Sequence, residues 1–134
     1  MAPLKGLPIG HTWRGYGSAI FLELGEVTHP KDKPPTGVAT LMIEWSWRVE
    51  ASRSIAFGSF SSDRKISSGL AALVGRKVEN LDLFGRLPEI ILQLSDGRRV
   101  CSFATAEGQP EWALLLRERG TISVKRGVLV HSES

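Results

Sequence analysis

The side chains able to do acid–base chemistry lie closest together around one arginine: Glu44, Arg48 and Glu50 share a short stretch, and Asp63 follows further along. A general acid and base need two groups within reach of one reacting atom, with environments that push their pKa values apart. Glu44, Arg48 and Glu50 alternate with apolar residues, which puts them on one wet strand face. There a Glu-x-x-x-Arg arrangement reads as a charge pair rather than a catalytic dyad. The three histidines, His11, His29 and His131, have no His, Cys or carboxylate at ligand spacing, so no metal ligand is assigned. Cys101 lies in an alternating segment with Phe103 on its own face, the setting of a buried, inert thiol. Gly15-Tyr16-Gly17 opens like a dinucleotide fingerprint but carries Ile20 where the third glycine belongs and runs into a strand. No G-x-S-x-G elbow occurs. The sequence therefore assigns no catalytic residue and no cofactor.

Binding needs less than catalysis. Trp13, Arg14 and Tyr16 sit together in a Gly-rich segment, and Trp, Tyr and Arg are the types enriched at interface hot spots. Edge-of-core packing is the competing account of the two rings. With Glu44 and Arg48 supplying charges of both signs, the partner-binding candidates are Trp13, Arg14, Tyr16, Glu44 and Arg48. Trp45 and Trp47 share the apolar side of the alternation and are expected in the core, and Trp112 is expected to plug one end of it.

Charge argues against several partners. The net charge is +3 over 134 residues, yet residues 1–66 carry eight Lys/Arg against six Asp/Glu and residues 67–134 nine against eight. The excess is spread evenly and no basic run forms, which disfavours nucleic acid. The apolar side of residues 41–49 holds the rings while its wet side has none, the reverse of a single-strand-binding face. No apolar stretch reaches the ~20 residues of a membrane-spanning helix. Met1 to Gly10 lacks the pattern of a secretory signal, and a lone cysteine fits a reducing compartment, so the expected location is cytoplasmic.

The elements that must carry these residues are mostly strands, in a single domain over 1–134. Residues 17–26 read as a strand that ends at a Pro-rich surface loop, 28–37, expected to be the most mobile part. Leu41, Ile43, Trp45, Trp47 and Val49 alternate with Met42, Glu44, Ser46, Arg48 and Glu50, which predicts one continuous strand with one face in the core. Ala51-Ser52 then leads to a second strand, Arg53 to Phe60. Leu70, Leu73 and Val74 predict a short helix over about 67–75, capped by Ser67 or Ser68 and ended by Gly75. Strands follow at 77–84 and 89–94, and Asp96-Gly97 turns the latter into 98–103. Residues 110–118 suit a strand better than a helix, and a last hairpin turns at Arg126-Gly127. Antiparallel hairpins with one short helix imply a mainly β fold, either a sandwich or a partly open barrel.

The ordered set Ile43-Glu44-Trp45-Ser46-Trp47-Arg48, Phe57-Gly58-Ser59, Leu70 to Val78, Ser95-Asp96-Gly97-Arg98 and Glu111-Trp112 resembles a loose group of small uncharacterised bacterial proteins. The resemblance spans about residues 10–130. Some members of that group resemble immunity proteins encoded beside secreted toxins. It implies a scaffold and carries no functional residue over. The function expected is a non-enzymatic interaction domain, such as an immunity protein or inhibitor bound to another protein, with a homodimer left open. The alternative is a small-ligand binder or enzyme with a pocket inside the barrel or between the sheets.

Overall fold

The computed structural model describes residues 4–29, 31, 35–44, 46–105, 112–117, 120–125 and 128–132, the side chain of Lys125 aside. Among these described residues, eleven strands and one helix follow in order: β1 (Ile9–Arg14), β2 (Ile20–Leu24), β3 (Ala39–Ile43), β4 (Trp47–Glu50), β5 (Ile55–Gly58), α1 (Asp63–Leu73), β6 (Val78–Phe84), β7 (Glu89–Leu94), β8 (Arg99–Ser102), β9 (Trp112–Leu116), β10 (Gly120–Lys125) and β11 (Val128–Ser132). They form two antiparallel sheets. One has the order β1-β2-β3-β9-β10-β11 and the other β5-β4-β8-β7-β6, so the architecture is the sandwich and no barrel closes.

The predicted ten-residue strand is two strands. β3 lies in the six-stranded sheet and β4 in the five-stranded one, so the chain changes sheet between Ile43 and Trp47. The alternation survives the change of sheet because both sheets face the same interior: Leu41, Ile43, Trp47 and Val49 are all fully buried. The side-chain period thus reports burial correctly at these four positions but not at Ser46, expected on the wet side and 1% exposed, and it reports continuity incorrectly. The crossing is held from outside, where the Phe103 N–H donates to Ser46 O at 2.9 Å and Ser18 Oγ to Glu44 O at 3.3 Å. Trp45, expected in the core, lies outside the described residues, as do much of the Pro-rich loop and the turn at Arg126-Gly127.

α1 begins earlier than the pattern suggested. Ser62 is the N-cap, its Oγ accepting from Lys65 N at 3.2 Å, and Ile66, Leu70 and Leu73 form the buried stripe. The polar run Asp63-Arg64-Lys65 concealed the first turn, and Val74 falls past the end, where Gly75 takes a φ of +92°. The helix packs on β1 and β5, closing that side of the sandwich. Its approach to β5 is close: a Cβ on Gly69 would run into the Phe57 ring. The opposite side, along β6 and β11, is left more open, and Leu83 and Leu129 are exposed there.

The remaining hairpins follow the sequence pattern. β7 matches its expected bounds, Gly97 turns it into β8 with a φ of +90°, and residues 112–116 are strand. β1 escaped detection because His11, Thr12 and Arg14 give it no apolar alternation. It is an edge strand whose outer rim is occupied at its first residue: Ile9 N donates to Arg76 O at 2.8 Å, and Gly75 N to Ile9 O at 2.8 Å.

Candidate functional site

Trp47 joins three segments at one end of the sandwich. Its side chain is 0% exposed, and its indole N–H donates to Ser18 O at 2.8 Å, fixing the β1–β2 turn. Its backbone N–H donates to Ser59 Oγ at 3.2 Å while its carbonyl accepts from Ser59 N at 2.9 Å, fixing the segment between β5 and α1. Two aromatic rings project from the segments so anchored. Tyr16 is 100% exposed and Phe60 is 84% exposed, whereas the ring of Phe57 is buried and meets Trp47 edge-on with centroids 5.8 Å apart.

On the outer face of the five-stranded sheet, Arg48 and Glu50 from β4 stand opposite Cys101 and Arg99 of β8. Arg48 reaches Glu50 Oε2 with Nη2 at 2.8 Å and Nε at 2.9 Å, and its guanidinium carbon lies 5.5 Å from the centroid of Phe103. Arg99 approaches the other Glu50 oxygen only to 3.7 Å, and its Nε is buried with no acceptor. Cys101 is buried between them. Burial pushes its thiol pKa up and the nearby Glu50 carboxylate adds to this, while Arg99 and Arg48 oppose it. The thiol is thus held in its protonated, unreactive form.

The five candidates do not converge. Trp13 lies on the outer face of the six-stranded sheet, stacked on Phe21 with centroids 3.7 Å apart and planes 6° from parallel. Its indole N–H donates to Glu23 Oε2 at 2.8 Å. Glu23 is 1% exposed and also accepts from Gly37 N at 3.1 Å and from Thr40 Oγ1, with Arg117 Nη2 at 3.8 Å. Trp13 is therefore part of a satisfied structural network. Arg14, next on β1, points to the other side and pairs with Asp63 at the start of α1 at 3.1 Å. Tyr16 projects from the β1–β2 turn.

Glu44 directly follows β3 and is not on the face of Arg48. The strand breaks before that face begins, so the expected Glu44–Arg48 pairing is replaced by Arg48–Glu50. Glu44 is tied to the β1–β2 turn that carries Tyr16 through Ser18, whose hydroxyl donates to the Glu44 carbonyl. Phe60, Phe103 and Arg99 belong to this region and were passed over. The sequence pattern runs this strand through Phe60, whereas it ends at Gly58.

Two clefts open on this side. One, of about 310 Å³, is lined by Trp47, Ile55, Phe60 and Phe103 with Arg48 at its edge. The other, of about 300 Å³, is lined by Glu50, Arg53 and the β4–β5 turn, and shares Arg48 and Ile55 as a wall. A third, of about 200 Å³ and almost wholly apolar, lies between the sheets at their open side, lined by Leu81, Leu83, Ile90, Trp112, Leu114 and Leu129 among others. Among the described residues no three His, Cys, Asp or Glu side chains gather to hold a metal, and no helix is long and apolar enough to cross a membrane. No family model, curated protein or solved structure matches the chain.

Proposed function

We propose that this domain acts without catalysis, by binding another protein at the Trp47 end of the sandwich, in the manner of an immunity protein or inhibitor that covers a partner's working surface. The observation that carries this is the pair Tyr16 and Phe60, two rings left in water on segments that are themselves hydrogen-bonded to one buried tryptophan. Rigid aromatic side chains offer large contact area at low ordering cost, which is why they dominate hot spots. Arg48 borders the cleft that Phe60 lines, and Glu44 is tied through Ser18 to the turn that carries Tyr16, so charges of both signs lie on the same segments. The free, buried Cys101 fits a reducing compartment, and we read the place of action as cytoplasmic.

The test is a binding comparison between the native chain and Tyr16→Ala/Phe60→Ala, each immobilised and exposed to lysate of the source cells. A stoichiometric protein partner should be held by the first. It should be weakened at least about 10-fold by the double variant, with the unfolding midpoint unchanged. Equal retention of that partner by both chains sinks the reading.

The apolar cleft between the sheets favours a second one, a binder of a small apolar molecule, since about 200 Å³ exceeds the cavity that holds benzene in an engineered core. Thermal stabilisation by an uncharged hydrocarbon, with no protein partner found, would move the assignment there.

A further inference from the structure

We infer that the partner surface is acidic, and that it presents a carboxylate beside an apolar side chain to the paired clefts of β4 and β5. This rests on the protein-binding reading above and adds the chemistry of what is bound. Three cations, Arg48, Arg53 and Arg99, stand around a single carboxylate, Glu50. Glu50 satisfies Arg48 through one oxygen and touches Arg99 only at 3.7 Å; Arg53 has no ion pair among the described residues. The local excess is two positive charges, and guanidinium forks present more N–H donors than one carboxylate can accept.

Next to this excess, and separated from it only by Arg48 and Ile55, lies the cleft walled by Phe60 and Phe103. A side chain with a hydrocarbon or aromatic body seats there while a neighbouring carboxylate takes the free arginine donors. Arg48 is already stacked on Phe103 and hydrogen-bonded to Glu50, so it is ordered before the partner arrives. A nucleic-acid backbone fits less well. Its phosphates repeat at every step and would meet Glu50 at the centre of the patch.

The experiment uses the full chain, labelled for amide and arginine Nε–H spectra. It is titrated at low salt with the blocked peptide Glu-Phe-Glu-Glu, its Gln and Lys counterparts, and a thymidine oligonucleotide. The acidic peptide should give saturable shifts at Arg48, Arg99, Phe60 and Phe103, weakening as salt rises. Arg48→Gln and Phe60→Ala should each reduce its affinity by about 3- to 10-fold, with amides of the six-stranded sheet unmoved. Equal shifts from the Gln or Lys peptide, tighter binding of the oligonucleotide, or no saturable shift overturns the inference. If it falls while Tyr16→Ala/Phe60→Ala still loses its cellular partner, only the chemistry of the partner was misjudged; if that comparison also shows no difference, the protein-binding reading falls with it.

Discussion

The outer faces of the two sheets are built from the same residue types and end in opposite states. On the six-stranded sheet a Trp, a Glu and an Arg close on one another: Glu23 is sealed from water and accepts from Trp13, Gly37 and Thr40, while Arg117 donates to Thr40 at 2.8 Å and approaches Glu23. On the five-stranded sheet an aromatic ring, a Glu and arginines stay open: Glu50 is shared between Arg48 and Arg99, and a buried Arg99 Nε has no acceptor. The aromatic–Arg–Glu combination therefore does not mark a binding surface by itself. What separates the two faces is whether the donors and acceptors balance inside the protein, because a balanced network gains nothing by meeting a partner.

Substitutions can break this comparison at graded cost. Trp47→Ala should have the largest effect, since it empties a fully buried site and releases the turn held by the indole N–H; a loss of about 3–5 kcal/mol in denaturant unfolding is expected. Glu23→Ala should follow at about 2–4 kcal/mol, because the Gly37 and Trp13 N–H groups lose their acceptor under cover. Glu50→Ala, at a part-exposed site, should cost less than about 1 kcal/mol. If Glu23 and Glu50 prove equally costly, the closed-versus-open distinction is wrong. Trp13→Phe keeps a ring on Phe21 but removes the hydrogen bond to Glu23 and part of the stacked area, so it should cost about 1–2 kcal/mol by the same measurement, above Glu50→Ala and below Glu23→Ala.

The sequence pattern revealed the strands because burial in a sandwich repeats every second residue, and Leu41, Ile43, Trp47 and Val49 obey that rule through a change of sheet. It could not reveal the change of sheet, since two strands facing one interior leave the same alternation as a single strand. β1 was hidden for the opposite reason: its polar residues serve the helix side and the outer network, as with Thr12 Oγ1 donating to Leu70 O at 3.2 Å. Within the candidate region, Tyr16 and Arg48 were legible from residue type and position. Phe60 and Arg99 were not, because exposure of the first and incomplete pairing of the second depend on contacts across β4, β5 and β8 that no local spacing encodes. The role of Trp13 was hidden likewise, since Glu23 meets it only after β1 and β2 pair.

The smallest effect tests the open face from beneath. Cys101 stands opposite Arg48 on the neighbouring strand, and after burial the Glu50 carboxylate is the next cause holding its thiol pKa up. A negative charge disfavours the thiolate, so Glu50→Gln should bring the pKa down while leaving the part due to burial in place. Arg48 and Arg99, which favour the thiolate, would then act without that opposition. At a fixed pH below the thiol's own pKa, alkylation of folded protein should be a few-fold faster in Glu50→Gln, and its pH profile should be displaced toward lower pH. Glu23→Gln, on the other sheet, should leave that profile where it was. A rate that does not respond to Glu50, or responds equally to Glu23, would mean that Cys101 reports access through local opening instead of the charge balance of the arginine face.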